Sequence, residues 1–417
     1  MAKEKIVTGI DAGSSKVSTI VANVNDGRIS VIGVSQVAST GIKKGVVVDI
    51  DEAVEAIDQS LEKAQRMAGV SIHSAFVSVS GSHIESLNSH GVVAVSHQGT
   101  EIGSDDIARV TEAAQAISLP SSKEIIHVLP RDFIVDGQNG IKDPTGMSGI
   151  RLEVETNVIT GLATSIRNLV KCVSQVGVEV EDLVYTGIAS SESVLTDTEK
   201  ELGAVLIDIG GGTTSIVIFY EGSPMYSAVL PIGGQHITSD LAIGLRGPME
   251  ASEKIKLRLS LEREKKIVND EEKKLEDLNV SEFNLESDVI PKKLLYEIMD
   301  ARLTEIFTLV ALEIKKANLS GKLPAGAIVT GGSAVTAGIE RTAKNVLKVP
   351  VRIGYPKGVT GLIDEIEGPA FSCNVGLVLY GSRLAKEKTS TLSFGKQGGK
   401  MSNIISKVIN FSKSFLP

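Results

Sequence analysis

Asp208 closes an apolar run, Ala204-Val-Leu-Ile207, and is followed by Ile209, Gly210, Gly211, Gly212, Thr213 and Thr214. A second apolar run, Ile216-Val-Ile-Phe219, comes next. A carboxylate at the mouth of a turn can hold the waters of a Mg²⁺ ion. Glycines let backbone N–H groups turn towards an anion, with no Cβ in the way. The two threonine hydroxyls add donors. Residues of these types at this spacing point to a phosphate-binding turn between two strands.

The same set recurs near the N-terminus. Asp11 ends Val7-Thr-Gly-Ile10, and Gly13, Ser14, Ser15 and Lys16 lead into Val17-Ser-Thr-Ile-Val21. Both copies continue into a third strand after a turn, at Asp26-Gly27 and Glu221-Gly222. A P-loop is excluded, because Gly-x-x-x-x-Gly-Lys-Ser/Thr is absent. A dinucleotide-binding turn is excluded too, because it must open a helix and β-branched residues follow here. One such hairpin in each half of the chain would clamp a nucleotide between two lobes.

These units need a scaffold, and 417 residues suffice for two or more domains with their own cores. Charged residues make up 23% of the chain and apolar ones 42%, as in ordinary globular proteins. A net charge of −8 and the absence of Trp argue against a nucleic-acid partner. Cys172 and Cys373 are far apart, lack metal-ligand spacing, and read as reduced thiols of a cytosolic protein. None of the six histidines is assigned to catalysis. The start of the chain has no signal-peptide pattern, and no apolar stretch approaches the ~20 residues of a membrane span.

Periodicity divides the chain as follows. Residues 1–83 form the core of a first lobe, with a helix started at Asp49-Ile-Asp51 and ended by Gly69. Residues 84–162 differ in character and read as an inserted small α+β subdomain, with a helix capped at Ser104 and striped by Ile107, Val110, Ala114 and Ile117. Strands are expected over 123–128, 133–135 and 151–160. Residues 163–200 return to the first lobe, with a strand over 181–188. Residues 201–249 carry the central hairpin and a helix from Ser239. Residues 250–320 form a smaller subdomain. In its stretch 250–277 helix and strand compete, and a solvated charged face is expected. Residues 294–316 read as a long amphipathic helix. Residues 321–360 bring a strand into Gly331-Gly332-Ser333 and a helix N-terminus, suited to close approach of a ring or ribose. Residues 361–385 contain a helix returning to the first lobe.

Residues 386–400 are rich in Gly, Ser and Lys and read as a flexible linker. The last stretch, 401–417, places Ile404, Ile405, Val408, Ile409, Phe411, Phe415 and Leu416 on one helical arc, with Lys407 and Lys413 on the other. It is too short to span a bilayer. It suits an amphipathic helix lying in the interface of anionic lipid. A single copy would bind reversibly, and many copies on a polymer far more tightly.

In their order along the chain, Asp11/Gly13, Asp208/Gly210–Thr213 and Gly331-Gly332-Ser333 resemble the phosphate-1, phosphate-2 and adenosine motifs of the actin, Hsp70 and sugar-kinase superfamily. Within it, the chain resembles the FtsA family of bacterial actin-like cell-division proteins. Gly9-Ile-Asp-Ala-Gly-Ser-Ser-Lys16, Leu206-Ile-Asp-Ile-Gly-Gly-Gly-Thr-Thr214, Pro231-Ile-Gly-Gly234, Glu253 to Lys256, the insertion and the tail carry the likeness.

The resemblance implies an α/β, actin-like two-lobed fold of ribonuclease H-like subdomains, with ATP and Mg²⁺ in the cleft. Asp11 and Asp208 would hold the metal through water. Gly13, Ser14, Ser15, Lys16, Gly210, Gly211, Gly212, Thr213, Thr214, Gly233 and Gly234 would cradle phosphates. Glu253, Lys256, Gly331, Gly332 and Ser333 would contact adenosine. It also implies a second lobe that binds the C-terminal peptide of the tubulin-like FtsZ, with Arg302 pairing an acidic residue. It further implies self-assembly into protofilaments, recruitment of later division proteins through residues 84–162, and a peripheral place on the cytoplasmic face of the membrane at the septum.

One departure bears on catalysis. Related filament-forming ATPases orient water with a carboxylate or Gln on the helix before the second hairpin. Here that stretch is Ala189-Ser190-Ser191-Glu192, with Glu192 the candidate, so at most slow ATP hydrolysis is expected. Competing readings are another actin-like scaffold, for cell shape or pilus assembly, and a small-molecule kinase of the same superfamily. A kinase needs a base near the γ-phosphate, for which no clear candidate appears, and has no use for a lipid-binding tail.

Overall fold

The computed structural model describes residues 5–95, 101–266, 277–283 and 285–392. β1 (Lys5–Ala12), β2 (Lys16–Asn25) and β3 (Arg28–Ala38) form an antiparallel meander. Asp26 and Gly27 both have positive φ, 47° and 81°. A hairpin turn of this kind follows the twist of the strands. Short strands β4 (Ile42–Lys43) and β5 (Val46–Val47) follow. Helix α1 (Ile50–Ala68) starts where Asp49 accepts a hydrogen bond from the Glu52 N–H, and stops at Gly69 with φ 67°. It crosses over to β6 (Ser74–Val79), which pairs in parallel with β1.

The inserted region is built from β7 (Glu85–Ala94), α2 (Ser104–Gln115), β8 (Lys123–Val135), β9 (Gln138–Ile141) and β10 (Arg151–Leu162). Two details correct the sequence reading. The cap of α2 is Gly103, whose N–H donates to the Asp106 carboxylate at 3.0 Å, and Ile117 lies beyond the helix. Residues 123–128 and 133–135 are one strand, because the register slips between the Thr156–Pro130 and Glu155–Asp132 pairs. Such a bulge is where a strand tolerates proline.

After α3 (Ala163–Gln175), β11 (Glu179–Tyr185) stops three residues short of Ile188. The chain turns there into α4 (Thr186–Val194), whose residues 187–191 are all buried. A helix buried all round shows no amphipathic stripe, so its sequence reads equally well as strand. α5 (Asp197–Leu202) leads to the second meander, β12 (Ala204–Ile209), β13 (Thr214–Tyr220) and β14 (Ser223–Leu230). Glu221 and Gly222 again both have positive φ, 52° and 77°.

Helix α6 (Gly234–Leu245) begins five residues before Ser239. α7 (Met249–Lys266) is helical, with Ile255 and Leu259 buried and Leu257 and Leu261 exposed. Lys256 is buried as well, so the wholly solvated face expected there is not found. β15 (Leu278–Asn279) and β16 (Val289–Ile290) precede α8 (Lys292–Lys316). The core side of α8 is Leu295, Met299, Leu303, Ile306, Phe307 and Val310, whereas Leu312 is exposed.

β17 (Gly326–Thr330) runs into Gly331, but α9 (Ile339–Leu347) starts only after a series of turns, so no helix N-terminus follows the Gly-Gly pair directly. β18 (Val351–Ile353) and β19 (Thr360–Gly361) come before α10 (Ser372–Leu392). α10 continues through 386–392, which the sequence suggested as linker. The expected tail helix, 401–417, lies outside the described residues.

Two sheets organise these elements. The first lobe has the order β11-β6-β1-β2-β3-β19. The second has β18-β17-β12-β13-β14 and continues through β7-β10-β8-β9 of the inserted region. Leu206 and Val217 on one face of β12 and β13 join the core of the first lobe, with Ile188 of α4 and Leu377 of α10. Ile207 and Ile216 on the other face pack with α6 and α8. Helices α4 and α10 therefore lie in a layer that both lobes share.

Candidate functional site

The two glycine turns have the same closure. The Gly13 N–H donates to the Lys16 carbonyl at 3.0 Å, and the Gly210 N–H to the Thr213 carbonyl at 2.9 Å. The turns meet face to face. A Cβ on Gly211 would strike the Ser15 side chain, and one on Gly212 the Ser14 side chain. The Ser14 hydroxyl also accepts from the Gly45 N–H at 2.9 Å. Glycine is required at 211 and 212 by this approach alone.

The other motifs converge on the second turn. The Gly234 and Gln235 N–H groups, at the start of α6, donate to the Gly210 and Gly211 carbonyls at 2.9 and 2.8 Å. The Ser333 hydroxyl donates to the Gly210 carbonyl at 3.1 Å, and its N–H to the Ile209 carbonyl at 3.0 Å. On α7, Lys256 Nζ donates to Glu253 at 2.7 Å and to the Thr238 hydroxyl at 2.9 Å. A cleft of about 740 Å³ is lined by Asp11, Gly13, Ser14, Ser15, Lys16, Asp208, Gly210, Gly211, Thr213, Gly234, Glu253, Lys256, Gly331, Gly332 and Ser333.

Three of the suggested phosphate contacts are outside that lining. Thr214 is fully buried and donates to the Ile232 carbonyl at 2.8 Å. Gly212 backs onto Ser14, and Gly233 onto the Gly210 and Gly211 carbonyls. Glu192 is also absent from the lining. It pairs with Arg383 of α10 at 2.7 Å. Burial would raise its carboxyl, but Arg383 and Lys200 outweigh this and hold it below the usual range. Arg302 lies on α8 with its guanidinium in use: Nε and Nη2 reach Asp240 at 2.5 and 2.7 Å, and Nη1 reaches Glu305 at 2.5 Å.

The floor of the cleft holds the ionisable groups. Asp11 accepts from the Ser78 hydroxyl at 2.6 Å. Asp208 accepts from the Ser190 hydroxyl of α4. Burial pushes the Asp208 carboxyl up to about 6, the Ser190 bond opposing and the Asp11 charge adding. Lys16 donates to the Ala370 carbonyl at 2.7 Å and lies 4.2 Å from the Phe371 ring centroid. Burial lowers its ammonium pKa, against the pull of Asp11 and Asp208. Among the described residues no three His, Cys, Asp or Glu side chains gather as metal ligands. Two carboxylates alone suit a cation that keeps most of its water, as Mg²⁺ does.

Sequence reasoning missed part of the wall. Ser78, Ser80, Thr186, Ser215 and Gln235 line the cleft, as does Cys373, whose thiol burial and the nearby Asp11 push well up. One signal was available: Ser78 is a hydroxyl set between Val77 and Val79 in an otherwise apolar stretch.

The family model described as "SHS2 domain inserted in FTSA" matches residues 81–160, and that described as "Cell division protein FtsA" matches residues 205–376. The FtsA of Pseudomonas aeruginosa is 40% identical over 382 residues, covering 90% of this chain and 89% of its own. The FtsA of Bacillus subtilis is 36% identical over 394 residues, covering 94% and 87%. Among solved structures, a PilM–PilN type IV pilus biogenesis complex has TM-score 0.63 at 14% identity, covering 90% of this chain and 98% of that one. MreB5 of Spiroplasma citri bound to AMPPNP has TM-score 0.54 at 13% identity, covering 93% and 99%. These two likenesses concern the actin-like fold alone. Among the described residues no helix is long and apolar enough to cross a membrane. On sequence similarity that extends over nine tenths of its length, the chain belongs to the FtsA family of cell division proteins.

Proposed function

We propose that this chain binds ATP with Mg²⁺ in the cleft, polymerises on the cytoplasmic face of the membrane at the septum, and anchors FtsZ filaments there through its C-terminal segment. The observation that carries the nucleotide reading is the meeting of three separate motifs around one cleft. The residues fit the ligand. Gly13, Gly210 and Gly211 put backbone without side chains in the lining, Lys256 presents a buried cation beside Glu253, and Asp11 and Asp208 face the same floor.

In this reading the turn N–H groups, Ser14, Ser15, Lys16 and Thr213 hold phosphates. Glu253 and Lys256 take the ribose hydroxyls, as acceptor and donor. Gly331 to Ser333 form a wall against which the base lies. Bound Mg²⁺ supplies charge neutralisation of the phosphates, and Asp11 and Asp208 hold its waters. Hydrolysis is slow, because Glu192 is committed to Arg383 and α4 turns a serine, not a carboxylate, towards Asp208. ATP then acts chiefly as a ligand that sets the lobe arrangement and polymer contacts.

The FtsZ peptide is the partner of the second lobe. An acidic residue of that peptide reaches Arg302 only by competing with Asp240 and Glu305. Later division proteins are read at residues 84–162. Ile404, Ile405, Lys407, Val408, Ile409, Phe411, Lys413, Phe415 and Leu416 are the lipid contacts of this reading.

Co-sedimentation with anionic vesicles tests it, comparing the full chain with one ended at Lys400, each with and without ATP·Mg²⁺. Pelleting of the full chain only, strengthened by ATP·Mg²⁺, is expected. If neither chain pellets, the anchor reading fails.

A further inference from the structure

We propose that Ser190 is a positioning residue for Asp208, and that its hydroxyl sets how much Mg²⁺ adds to nucleotide affinity. This rests on the reading of the cleft as an ATP·Mg²⁺ site. Successive residues of a strand face opposite ways. Leu206 belongs to the face of β12 that packs with α4 and α10, and Ile207 and Ile209 belong to the other face. Asp208 therefore points into the shared helix layer, where it is 6% exposed. A carboxylate there needs donors, since an unpaired buried charge is costly.

The structure offers it a hydroxyl. Ser190 is fully buried and donates to Asp208 Oδ2. The other oxygen, Oδ1, lies against Gly331, where a Cβ would collide with it. The carboxylate thus lies between α4, which donates to it, and the turn after β17, which leaves it room. Ser190 is itself held. The Ser193 hydroxyl reaches the Ser190 carbonyl at 3.1 Å and the Ser372 carbonyl at 2.7 Å, tying α4 to the start of α10. The Ser372 hydroxyl in turn pairs with Thr330 at 2.6 Å, at the end of β17. This buried chain joins α4, α10 and β17, and its terminal member is the hydroxyl that aims Asp208.

The test is calorimetric titration of ATP into the full chain, once with Mg²⁺ and once with EDTA. Ser190→Ala should keep the EDTA affinity within about twofold and lose roughly tenfold of the Mg²⁺ enhancement, the lower bound for a hydrogen bond to a charged acceptor. Asp208→Asn should lose the enhancement altogether, and adding Ser190→Ala to it should change nothing further. Ser190→Thr and Ser190→Val form a second pair of equal volume differing in the hydroxyl. It carries the comparison if the alanine variant does not fold, with Thr expected to keep the enhancement and Val to lose it. Equal weakening with and without Mg²⁺, or an undiminished enhancement, overturns the assignment and leaves the cleft reading in place. A parent chain that binds no ATP overturns both.

Discussion

Asp208 illustrates what a site costs the fold that carries it. Its carboxyl is pushed up to about 6 from an ordinary value of 3.8, mainly by burial. The folded state therefore binds a proton more tightly than the unfolded chain does. Stability from this group is fully present below about pH 4 and is lost as pH rises through about 6. Asp208→Asn keeps the shape and removes the charge. In EDTA without nucleotide it should melt close to the parent at pH 4, and about 2 °C or more above it at pH 7.5. Thermal scans at the two pH values check this, and equal melting at pH 7.5 would mean that the burial cost is met by other groups. Glu192 is the opposite case. It too is buried, but Arg383 supplies the compensating charge and turns it from a candidate for chemistry into a structural ion pair.

At the scale of elements, the crossing of α4 and α10 fixes the cleft floor. Gly376 of α10 meets the Ala189 backbone so closely that a Cβ would overlap the Ala189 carbonyl. α10 cannot yield cheaply, because its Asn374 is locked to Ser18 of β2 by hydrogen bonds at 2.8 and 2.9 Å. Gly376→Ala should destabilise the chain by roughly 1–3 kcal/mol through overpacking, outweighing the better helix propensity of alanine. Chemical denaturation reads the loss, and an unchanged midpoint would show that the helices can slide apart. Glycine here marks close approach rather than flexibility, as at 211 and 212, whereas the positive φ of Gly27 and Gly222 marks turns.

For the whole molecule, the join between the inserted region and the second lobe stands out. β14 and β7 share a single backbone pair, Ala228 with Glu85, whereas β7 and β10 pair along their length. Several further contacts of the seam are polar. Ser86 both donates to and accepts from the Ser227 backbone at 2.9 Å, and Lys142 Nζ donates to the Glu221 carbonyl at 2.5 Å. Asn157 Oδ1 and Ser227 Oγ are buried there without partners. A polar seam of this kind opens more easily than an apolar core. Lys142→Ala should raise amide exchange in β9 and at the 221–222 turn, and leave β12 and β13 as protected as before. Exchange measured by mass spectrometry checks it, and unchanged protection at β9 would show that the seam does not depend on this lysine.

Local rules in the sequence were enough for the repeated hairpins, because Asp, glycine and hydroxyl spacing is a property of neighbouring residues. As residues of the cleft, Asp11, Asp208, the two glycine turns and Gly331 to Ser333 were legible for that reason, whereas Lys256 was suggested by family likeness alone, its own stretch reading as a solvated face. The caps of α1 at Asp49 and Gly69 were legible too. Tertiary structure decided the remainder, where burial rather than neighbours sets the outcome. α4 is a helix because both lobes close over it, and α6 starts at Gly234 because the Gly210 and Gly211 carbonyls accept its first N–H groups. Ser190 meets Asp208, and Arg302 meets Asp240, across 18 and 62 residues of chain. No pattern within a single segment records contacts of that range, since each depends on two elements being packed together.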